Sequence, residues 1–531
     1  MICQRQFLPA DLSFENSGVS SLARERFVIT GSTFITCIAA YWIAATATVS
    51  PAQTTNPSAL FDRLVNEARA SANREYKEPA VRLPNFLKEL SYDAYMDIHA
   101  RREKGLWYGQ GKFEVQFFHP GYLYQSPVGI RSVENGHETE IKFDPGLFDY
   151  GQNKLPQPVP RDLYLAGLRV LHPLNQPAKM DELAVFLGSS YFRFLGAHQF
   201  FGTSLRGLAI DTAESSGEEF PNFTDFWIEK PGPSGAQIRI FARLESRRAS
   251  GAYQFLITPG NTTVVEVDAS LFLRSEVKKL GLAPLTSMFL FAESRTRYFA
   301  DFRPEIHDAD GLLIETTNHT WEWRPLINPA KVHQVTTFPA GKGFGLLQRD
   351  RNGESYQDLQ ANYEGRPSYW VSPEGDWGAG RLELVEIPST EERHDNMVAY
   401  WVPERKLPPG QELRLRYKLY AFSTSTDYPP DSLLRVHATR LQPGKDRRTR
   451  FVIDFTRGSL ATSTGPAPVG KVQASKGKVE NIVTQENKML NGWRVFFDAI
   501  PEGNDTVELR TWLLQRDQIC SEVWVYHLSD Q

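Results

Sequence analysis

Apolar and polar side chains nearly alternate in the run Ile238-Arg239-Ile240-Phe241-Ala242-Arg243-Leu244. A period of two places alternate side chains on one face of an extended chain, so the run predicts a half-buried β-strand. Residues 113–118 and 264–267 have the same texture, and clusters of Gly, Pro and Asn separate such runs. A large antiparallel sandwich over about residues 101–420 fits this pattern better than alternating βα units do.

Helical periodicity is confined to a few stretches. Apolar residues recur at helical spacing over residues 58–76, which predicts one amphipathic helix ahead of the sandwich. A second short helix is predicted at residues 91–98, and a third at 274–280, where Gly281 supplies a C-terminal stop. The predicted fold class is therefore all-β.

The chain is predicted to divide near residues 423–430, which read Ser-Thr-Ser-Thr-Asp-Tyr-Pro-Pro. Small polar residues and paired prolines cannot build a core, so this stretch is predicted to be a linker. Short alternating runs follow it, at residues 450–455, 507–513 and 522–526. We therefore expect a large β-sandwich domain at residues 53–425 and an immunoglobulin-like β sandwich at 431–531.

Composition narrows the classes of function. The chain has 531 residues and a formal net charge of -4, so it lacks the basic surface that nucleic-acid binding normally requires. The Gly-rich run at residues 341–345 lacks the Lys-Ser/Thr ending of a phosphate-binding loop. His, Cys and Asp residues do not stand at the spacings of zinc or calcium sites. We expect no nucleic-acid partner, no cofactor and no metal.

The N-terminal region has the pattern of an export signal. Arg24 and Arg26 precede an apolar run at residues 27–45, with small residues after it that suit a signal peptidase. Residues 1–52 are therefore predicted to be a signal peptide, and an uncleaved membrane anchor is the alternative. Cleavage would leave Cys520 as the one cysteine, so the mature chain would hold no internal disulfide. This pattern favours a periplasmic protein.

Two acidic loops carry the candidate chemistry. Arg303-Pro304-Glu305-Ile306-His307-Asp308-Ala309-Asp310-Gly311 lies between two apolar runs, and Glu391-Glu392-Arg393-His394-Asp395-Asn396 follows farther along the chain. Glycoside hydrolysis needs one protonated carboxyl group and one ionised carboxylate. Asp308 or Asp310 on the first loop and Glu392 or Asp395 on the second supply such a pair if the fold brings the loops together. The alternative is that these are ordinary solvated side chains.

Aromatic and arginine side chains surround these loops in the sequence. Sugar rings stack their apolar faces on aromatic rings and hydrogen-bond through their hydroxyl edges. The alternative is that aromatic residues in a β sandwich belong to the core. The aromatic residues are Trp321, Trp323, Tyr356, Tyr363, Tyr369, Trp370 and Trp377, and the arginines are Arg295, Arg297, Arg303, Arg349 and Arg366.

The same residues carry a resemblance to a known family. The matching stretches are residues 186–193, 206–212, 303–312, 323–326, 343–350, 356–358, 366–368 and 395–396. Together they are similar to the periplasmic glucan biosynthesis protein G/D family. The resemblance implies a large sandwich like the galactose mutarotase supersandwich, joined to a small immunoglobulin-like domain. It also implies a periplasmic role in making osmoregulated periplasmic glucans, whose backbone is β-1,2-linked glucose.

The resemblance further implies an activity and a set of residues. Members of the family are known as endo-β-1,2-glucanases that invert the anomeric centre. By this resemblance Asp395 is the general acid, and Asp308, in preference to Asp310, is the general base. Glu392 and Tyr363 are placed around the scissile bond, and Arg366 and Trp370 are further candidates for substrate binding.

The resemblance leaves two other functions open. One is a non-catalytic glucan-binding factor, which would receive nascent backbone from the inner-membrane glucan synthase and present it for further modification. The other is a transglycosylase that forms cyclic glucan. All three functions share β-1,2-glucan as the ligand.

Overall fold

The structure is a computed structural model, and it describes residues 57–294, 300–457, 465–503 and 506–528. The predicted signal peptide, residues 1–52, lies outside the described residues. None of the helices in the described part of the chain has the length and apolar character that crossing a bilayer requires.

The helices are short and the strands are many. The α-helices are α1 (Pro57–Ala72), α2 (Asn85–Lys88), α3 (Tyr92–Met96) and α4 (Gly353–Tyr356), with 3-10 turns at Arg102–Lys104, Pro145–Leu147, Tyr363–Gly365 and Lys488–Leu490. The first strands are β1 (His99–Ala100), β2 (Glu114–Phe118), β3 (Gly129–Glu134), β4 (His137–Glu140), β5 (Phe148–Asp149), β6 (Gly167–Gln176), β7 (Lys179–Leu187), β8 (Tyr191–Phe194), β9 (Ser204–Arg206), β10 (Leu208–Ile210) and β11 (Asn222–Glu229). The next are β12 (Ile238–Glu245), β13 (Ala249–Thr258), β14 (Thr263–Leu273), β15 (Leu280–Ser287), β16 (Phe289–Phe291), β17 (Ile306–His307), β18 (Gly311–Glu315), β19 (Trp321–Pro325), β20 (Gln334–Pro339), β21 (Gly343–Leu347) and β22 (Ser368–Glu374). The last are β23 (Gly380–Glu386), β24 (Met397–Pro403), β25 (Glu412–Phe422), β26 (Leu434–Pro443), β27 (Thr449–Arg457), β28 (Val469–Ala474), β29 (Lys478–Asn487), β30 (Gly492–Ile500), β31 (Val507–Gln515), β32 (Gln518–Ile519) and β33 (Val523–Leu528).

Three sheets contain most of these strands. The long sheet has the order β28-β31-β33-β19-β18-β21-β22-β25-β14-β13-β12-β11-β3-β4, with β32 beside β31. The facing sheet has the order β2-β6-β7-β8-β9-β15-β24-β23-β20, with β10 beside β15. The C-terminal sheet has the order β26-β27-β30-β29, and the pairs β1-β5 and β16-β17 form small ribbons. The prediction of an all-β fold is confirmed.

One core fills the space between the long sheet and the facing sheet. Ile240 and Phe255 of the long sheet belong to the same buried cluster as Leu168, Phe186 and Leu282 of the facing sheet. The alternation of the opening run explains this, because Ile240, Ala242 and Leu244 point into that cluster. Helix α1 covers part of the outer face of the long sheet through Phe61 and Leu64, which pack with Phe241 and Trp227.

The helix predictions succeed only in part. Helix α1 confirms the prediction at residues 58–76, and α3 accounts for part of the prediction at 91–98. The helix predicted at residues 274–280 is wrong, because this stretch is the bend between β14 and β15. The backbone N–H of Arg274 binds the carbonyl of Arg248, and that of Lys279 binds Asp211 Oδ1 at 2.8 Å. These distant acceptors replace the bonds that a helix would make within itself.

The strands after residue 431 form a second core with the end of the long sheet. Phe451 and Phe497 of the C-terminal sheet pack with Trp524 of β33 and Trp323 of β19. Strand β33 pairs in parallel with β19, with Trp524 opposite Trp323. The long sheet therefore continues without a break into strands from the predicted C-terminal domain. The domain division itself stays a prediction.

A buried ion pair ties the C-terminal strands to the middle of the chain. Glu522 is fully buried and accepts hydrogen bonds from Arg349 Nη1 at 2.8 Å and Nη2 at 2.5 Å. The backbone N–H of Val436 donates to the same carboxylate at 2.7 Å. The guanidinium of Arg349 also lies 3.6 Å from the centre of the Trp323 ring. Such a pair is costly to break, because removing one partner leaves the other charge buried.

We expect Glu522→Gln to lower the free energy of unfolding by about 3 kcal/mol or more, because it leaves the Arg349 charge without its counter-ion. Equilibrium unfolding in urea measures this change. The matched control is Glu480→Gln, which removes an exposed carboxylate paired with Arg448 at 3.1 Å. The control should change stability by less than about 1 kcal/mol. Equal losses in the two variants would contradict the assigned role of Glu522.

Candidate functional site

The two acidic loops meet beside the ribbon formed by β16 and β17. His307 of β17 pairs with Phe289 of β16. On the other side, the Asn396 side chain accepts from the N–H of Phe289 at 2.9 Å and donates to its carbonyl at 3.0 Å. The short strand β16 therefore lies between the loop at residues 303–311 and the loop at 391–396. The fold brings together the two stretches that the sequence separates.

Asp395 is enclosed at the start of β24. Asp395 is only 2% exposed, and Ser204 Oγ donates a hydrogen bond to its Oδ2 at 3.2 Å. The adjacent Asn396 is fixed to β16, so the backbone that carries Asp395 is held on both sides. A carboxyl group in this position has lost most of its contact with water.

Asp308 has a different partner. It is fully buried and forms an ion pair with Arg366, whose residue is 8% exposed. The Arg366 guanidinium lies 4.1 Å from the centre of the Tyr363 ring and donates through Nη2 to the carbonyl of Ala361 at 3.0 Å. A guanidinium in contact favours the ionised form of a carboxylate. Asp308 therefore lies beside a guanidinium, and Asp395 accepts a hydrogen bond from a hydroxyl group.

Asp310 accepts hydrogen bonds from the backbone of a neighbouring loop. Its Oδ2 accepts from the backbone N–H of Arg349 at 3.0 Å and of Asp350 at 3.1 Å. Burial raises the pKa of Asp310, and the charges of His307 and Arg349 act against that rise. Since its hydrogen bonds go to the backbone of one loop, Asp310 fixes that loop to the start of β18.

Glu392 lies at the open side of the cluster. Its side chain is 47% exposed, and Oε2 accepts from Tyr363 Oη at 2.7 Å and from Arg303 Nη1 at 2.9 Å. Arg303 also donates to Asp301 and Asp358, and its hydrogen bond to Asp301 is the main cause that raises the pKa of Arg303. Tyr363 thus links the two halves of the site, because its ring contacts Arg366 and its hydroxyl reaches Glu392.

Sequence reasoning missed Gln348, which organises the interior of the site. Its amide nitrogen donates to the carbonyl of His307 at 3.2 Å, to Tyr356 Oη at 2.9 Å and to the carbonyl of Tyr363 at 2.9 Å. Its amide oxygen lies 2.8 Å from His307 Nδ1. All of these groups are buried. The residue stands in the matching stretch at 343–350, but its contacts come from parts of the chain that only the fold brings together.

The orientation of Gln348 assigns the proton of His307. An amide oxygen can only accept, so Nδ1 of His307 carries the hydrogen and Nε2 of the neutral ring is an acceptor. Glu305 Oε2 lies 2.9 Å from Nε2. A hydrogen bond between them requires one proton, which Glu305 supplies when the ring is neutral.

Glu305 and the nearby Glu293 both resist ionisation. Burial, with the charge of Asp350, raises the pKa of Glu305 to about 8. Burial, with the charge of Glu305, raises the pKa of Glu293 to about 8. Glu293 Oε1 also accepts from the backbone N–H of Thr439 in β26 at 2.9 Å, so this acidic pair adjoins the C-terminal sheet.

Trp370 does not join the cluster. It is 1% exposed and packs in the second core, with its ring centre 4.9 Å from that of Tyr428 and 5.4 Å from that of Trp321. A side chain in this position presents no surface to a ligand, so we leave Trp370 out of the proposed site. Arg366 is also turned inward, because its guanidinium is engaged by Asp308. In that position it contacts the Asp308 carboxylate.

The described residues contain no group of three or more His, Cys, Asp or Glu side chains that could hold a metal ion. The chemistry available to the site is that of carboxyl groups, an imidazole, a phenol and guanidinium groups. Such a set can donate and accept protons at two separate carboxyl groups.

The fold and the site define an all-β sandwich protein with a cluster of carboxyl groups, several of which are buried. The comparisons with known proteins specify the family. A family model described as "Periplasmic glucan biosynthesis protein, MdoG" matches residues 60–528. The chain belongs to this family.

Three relatives carry the name "Glucans biosynthesis protein G". The protein of Ralstonia nicotianae is 45% identical over 477 residues, which cover 87% of this chain and 94% of the relative. The protein of Rhodopseudomonas palustris is 42% identical over 475 residues, covering 88% and 93%. The protein of Bradyrhizobium diazoefficiens is 42% identical over 505 residues, covering 94% and 99%. The family places this chain in periplasmic glucan biosynthesis.

We expect the unfolding free energy of Glu305→Gln to fall less than that of the parent when the pH is raised from about 4.5 to 8. A glutamate in the unfolded chain loses its proton near its ordinary pKa of 4.5, whereas Glu305 in the folded chain keeps it until about pH 8. The folded state therefore binds more protons in this range, so the unfolding free energy falls as the pH rises and levels off above it.

Urea unfolding at several pH values measures this slope in both proteins. Glutamine keeps a donor for His307 Nε2 and has no proton to lose, so the curve of the variant should be flatter. Near pH 4.5 both chains carry a neutral side chain here, and this point serves as the internal control. Parallel curves over the whole range would contradict the raised pKa.

Proposed function

We propose that this protein is an inverting endo-β-1,2-glucanase that acts on the glucan backbone in the periplasm, with Asp395 as general acid and Asp308 as general base. The observation that carries the proposal is that two enclosed carboxyl groups lie on loops that meet at β16. Inverting glycoside hydrolysis uses such a pair, one carboxyl group as acid and the other as base. The names of the relatives support glucan as the substrate.

In this proposal the glycosidic oxygen lies beside Asp395. The bond from the anomeric carbon to that oxygen breaks as Asp395 donates its proton to the leaving sugar. A water molecule attacks the anomeric carbon from the opposite face and gives a proton to Asp308, directly or through a second water. Return of a proton from Asp308 to Asp395 through solvent completes the cycle. Arg366 supports the base by keeping Asp308 ionised until it accepts the proton.

Glu392 and Tyr363 are proposed to line the cleft at the scissile bond. Glu392 is the most exposed member of the cluster, and its contacts with Tyr363 and Arg303 hold it in one place. Its carboxylate can accept hydrogen bonds from sugar hydroxyls, which are donors.

The second candidate function is a non-catalytic factor that binds nascent glucan from the inner-membrane synthase. The observation that favours it is the complete burial of Asp308, since a buried carboxylate beside a guanidinium can also belong to a structural ion pair. A transglycosylase that forms cyclic glucan would use the same acid and exclude water from the acceptor position. The products formed from linear substrate distinguish these functions.

We expect Asp395→Asn and Asp308→Asn each to lower the release of reducing ends from linear β-1,2-glucan by at least about a hundredfold, because each removes one proton-transfer group. The matched control is Glu391→Gln on the same loop, where the carboxylate is exposed and contacts Arg393. The control should keep the activity of the parent. Circular dichroism and glucan binding confirm that each variant is folded.

Each result has a separate meaning. A parent that binds the glucan but forms neither new ends nor cyclic product is a binding factor, and the enzyme proposal fails. A parent that forms cyclic product without new ends is a transglycosylase. Full activity in Asp395→Asn would show that the acid is another residue.

Asp310→Asn separates the two candidates for the base. The asparagine oxygen can still accept from the backbone N–H groups of Arg349 and Asp350, so the loop should stay in place. If Asp308 is the base, this variant should keep its rate within about tenfold of the parent, a change of roughly 1.4 kcal/mol. A loss as large as that of Asp308→Asn in a folded variant would transfer the role to Asp310.

A further inference from the structure

A groove that lies outside the proposed active site is lined by side chains that suit ligand binding. The facing sheet ends at strand β20, while the long sheet continues through β33 and β31 to β28. Thr336 and Phe338 of β20 contact His527 of β33. A groove with a volume of about 490 Å³ opens beside this crossing, between β20, the turn after β18, and β31. Its size is within the range of small-molecule sites, about 300–1,000 Å³.

One face of β31 supplies the floor of the groove. Glu508, Arg510 and Trp512 are half-buried and alternate with the buried Leu509 and Thr511. The three share one face because successive side chains of a strand point to opposite sides. This face therefore presents a carboxylate, a guanidinium and an indole ring in a row. Gln473 of β28 is exposed directly opposite Arg510 and adds an amide.

The charges of the groove are paired with one another. Arg510 contacts Glu322 of β19 and lies 3.5 Å from Glu508, which in turn lies 3.3 Å from His527. An anionic ligand would meet two carboxylates, and a cationic ligand would have to compete with Arg510. A neutral ligand with many hydroxyl groups avoids both costs and can use the donors and acceptors of these side chains.

The rim adds polar groups that suit the same ligand. Thr316, Asn318 and Thr320 lie on the turn between β18 and β19, and Thr337 lies on β20. Ile519 on the opposite side is 47% exposed and lies in the same lining. An indole ring with polar groups around it matches the two kinds of surface on a sugar ring, an apolar face and a hydroxyl edge.

We propose that this groove is a second carbohydrate site, which binds a neutral oligosaccharide by stacking a sugar ring on Trp512. The choice of β-1,2-glucan as the natural ligand rests on the function proposed above, whereas the preference for a neutral sugar rests on the groove alone. Strand β18 connects the two sites, since Asp310 precedes its first residue and Thr316 follows its last. At about 3.3 Å per residue, the groove begins at Ile314, roughly 13 Å from Asp310, and Thr316 lies roughly 20 Å from it. A glucan chain longer than this separation can occupy both sites, and such double attachment raises affinity without new contacts.

The test uses the full mature chain carrying Asp395→Asn, so that substrate is not consumed. Titration calorimetry with short linear β-1,2-gluco-oligosaccharides counts the binding sites, and long linear glucan reports the combined affinity. We expect two sites for short ligands. Adding Trp512→Ala should leave one site and weaken the binding of long glucan by about tenfold, as expected for loss of an aromatic anchor worth more than 1 kcal/mol.

The matched control is Trp493→Ala, which removes a half-buried tryptophan from β30 of the C-terminal sheet. It should keep two sites. Gln473→Ala is the second variant, since this exposed side chain is not needed for folding, and it should weaken the same site. If Trp512→Ala fails to fold, Gln473→Ala decides. Hydrogen exchange should show slower exchange in β31 when oligosaccharide is present.

The outcomes separate this inference from the proposed function. If adding Trp512→Ala or Gln473→Ala leaves the binding of short and long glucans as it is in Asp395→Asn alone, the groove is not a sugar site, whatever the activity of the parent. If the parent cleaves no glucan but both variants lose one site, the second site stands and the glucanase proposal fails. Linear β-1,3-gluco-oligosaccharide is the comparison ligand. If it binds at Trp512 and the β-1,2 form does not, the groove binds neutral sugar but not the proposed substrate.

Discussion

The buried pair of Arg349 and Glu522 joins the parts of the molecule on which the site depends. The Arg349 side chain holds the C-terminal strands through Glu522, and its backbone N–H holds Asp310 at the start of β18. The preceding residue, Gln348, holds His307 and the backbone of Tyr363. A single short loop therefore carries the connection between the two cores and the interior of the acidic cluster. The arrangement makes the C-terminal strands a structural support of the site, even though none of the proposed catalytic residues lies in them.

The acidic cluster shows how one fold gives similar groups different properties. Asp308 is beside a guanidinium, Asp395 beside a hydroxyl, and Glu305 beside an imidazole that already uses its own proton elsewhere. Glu392 alone keeps substantial contact with water. Buried charges need partners, and the partner fixes which protonation state is stable. From the interior to the surface, each carboxyl group of the cluster therefore has a different kind of partner.

Much of the fold could be predicted from local pattern, and part of the site could not. Alternation identified the strands because one face of each is buried, and the two acidic loops were found because their composition is unusual. The bend at residues 274–280 was mistaken for a helix because its hydrogen-bond acceptors, such as Asp211, are far away in the sequence. Composition predicted Trp370 as a substrate-binding residue, but only the fold shows which core a buried aromatic residue enters. Gln348 could not be predicted for the same reason, since its contacts with His307 span 41 positions of the sequence.

The parallel pairing of β19 with β33 also constrains the order of folding. Glu322 pairs with Val523, so strand β19 receives this neighbour only after about 200 further residues have been synthesised. Contacts between such distant segments form slowly, because closing a long loop costs conformational entropy before the contact is made. Until then β19 is an open sheet edge with Trp321 and Trp323 along it, and such edges recruit strands from other molecules. Pairing with β33, the last strand of the described residues, therefore closes this edge to strands of other molecules.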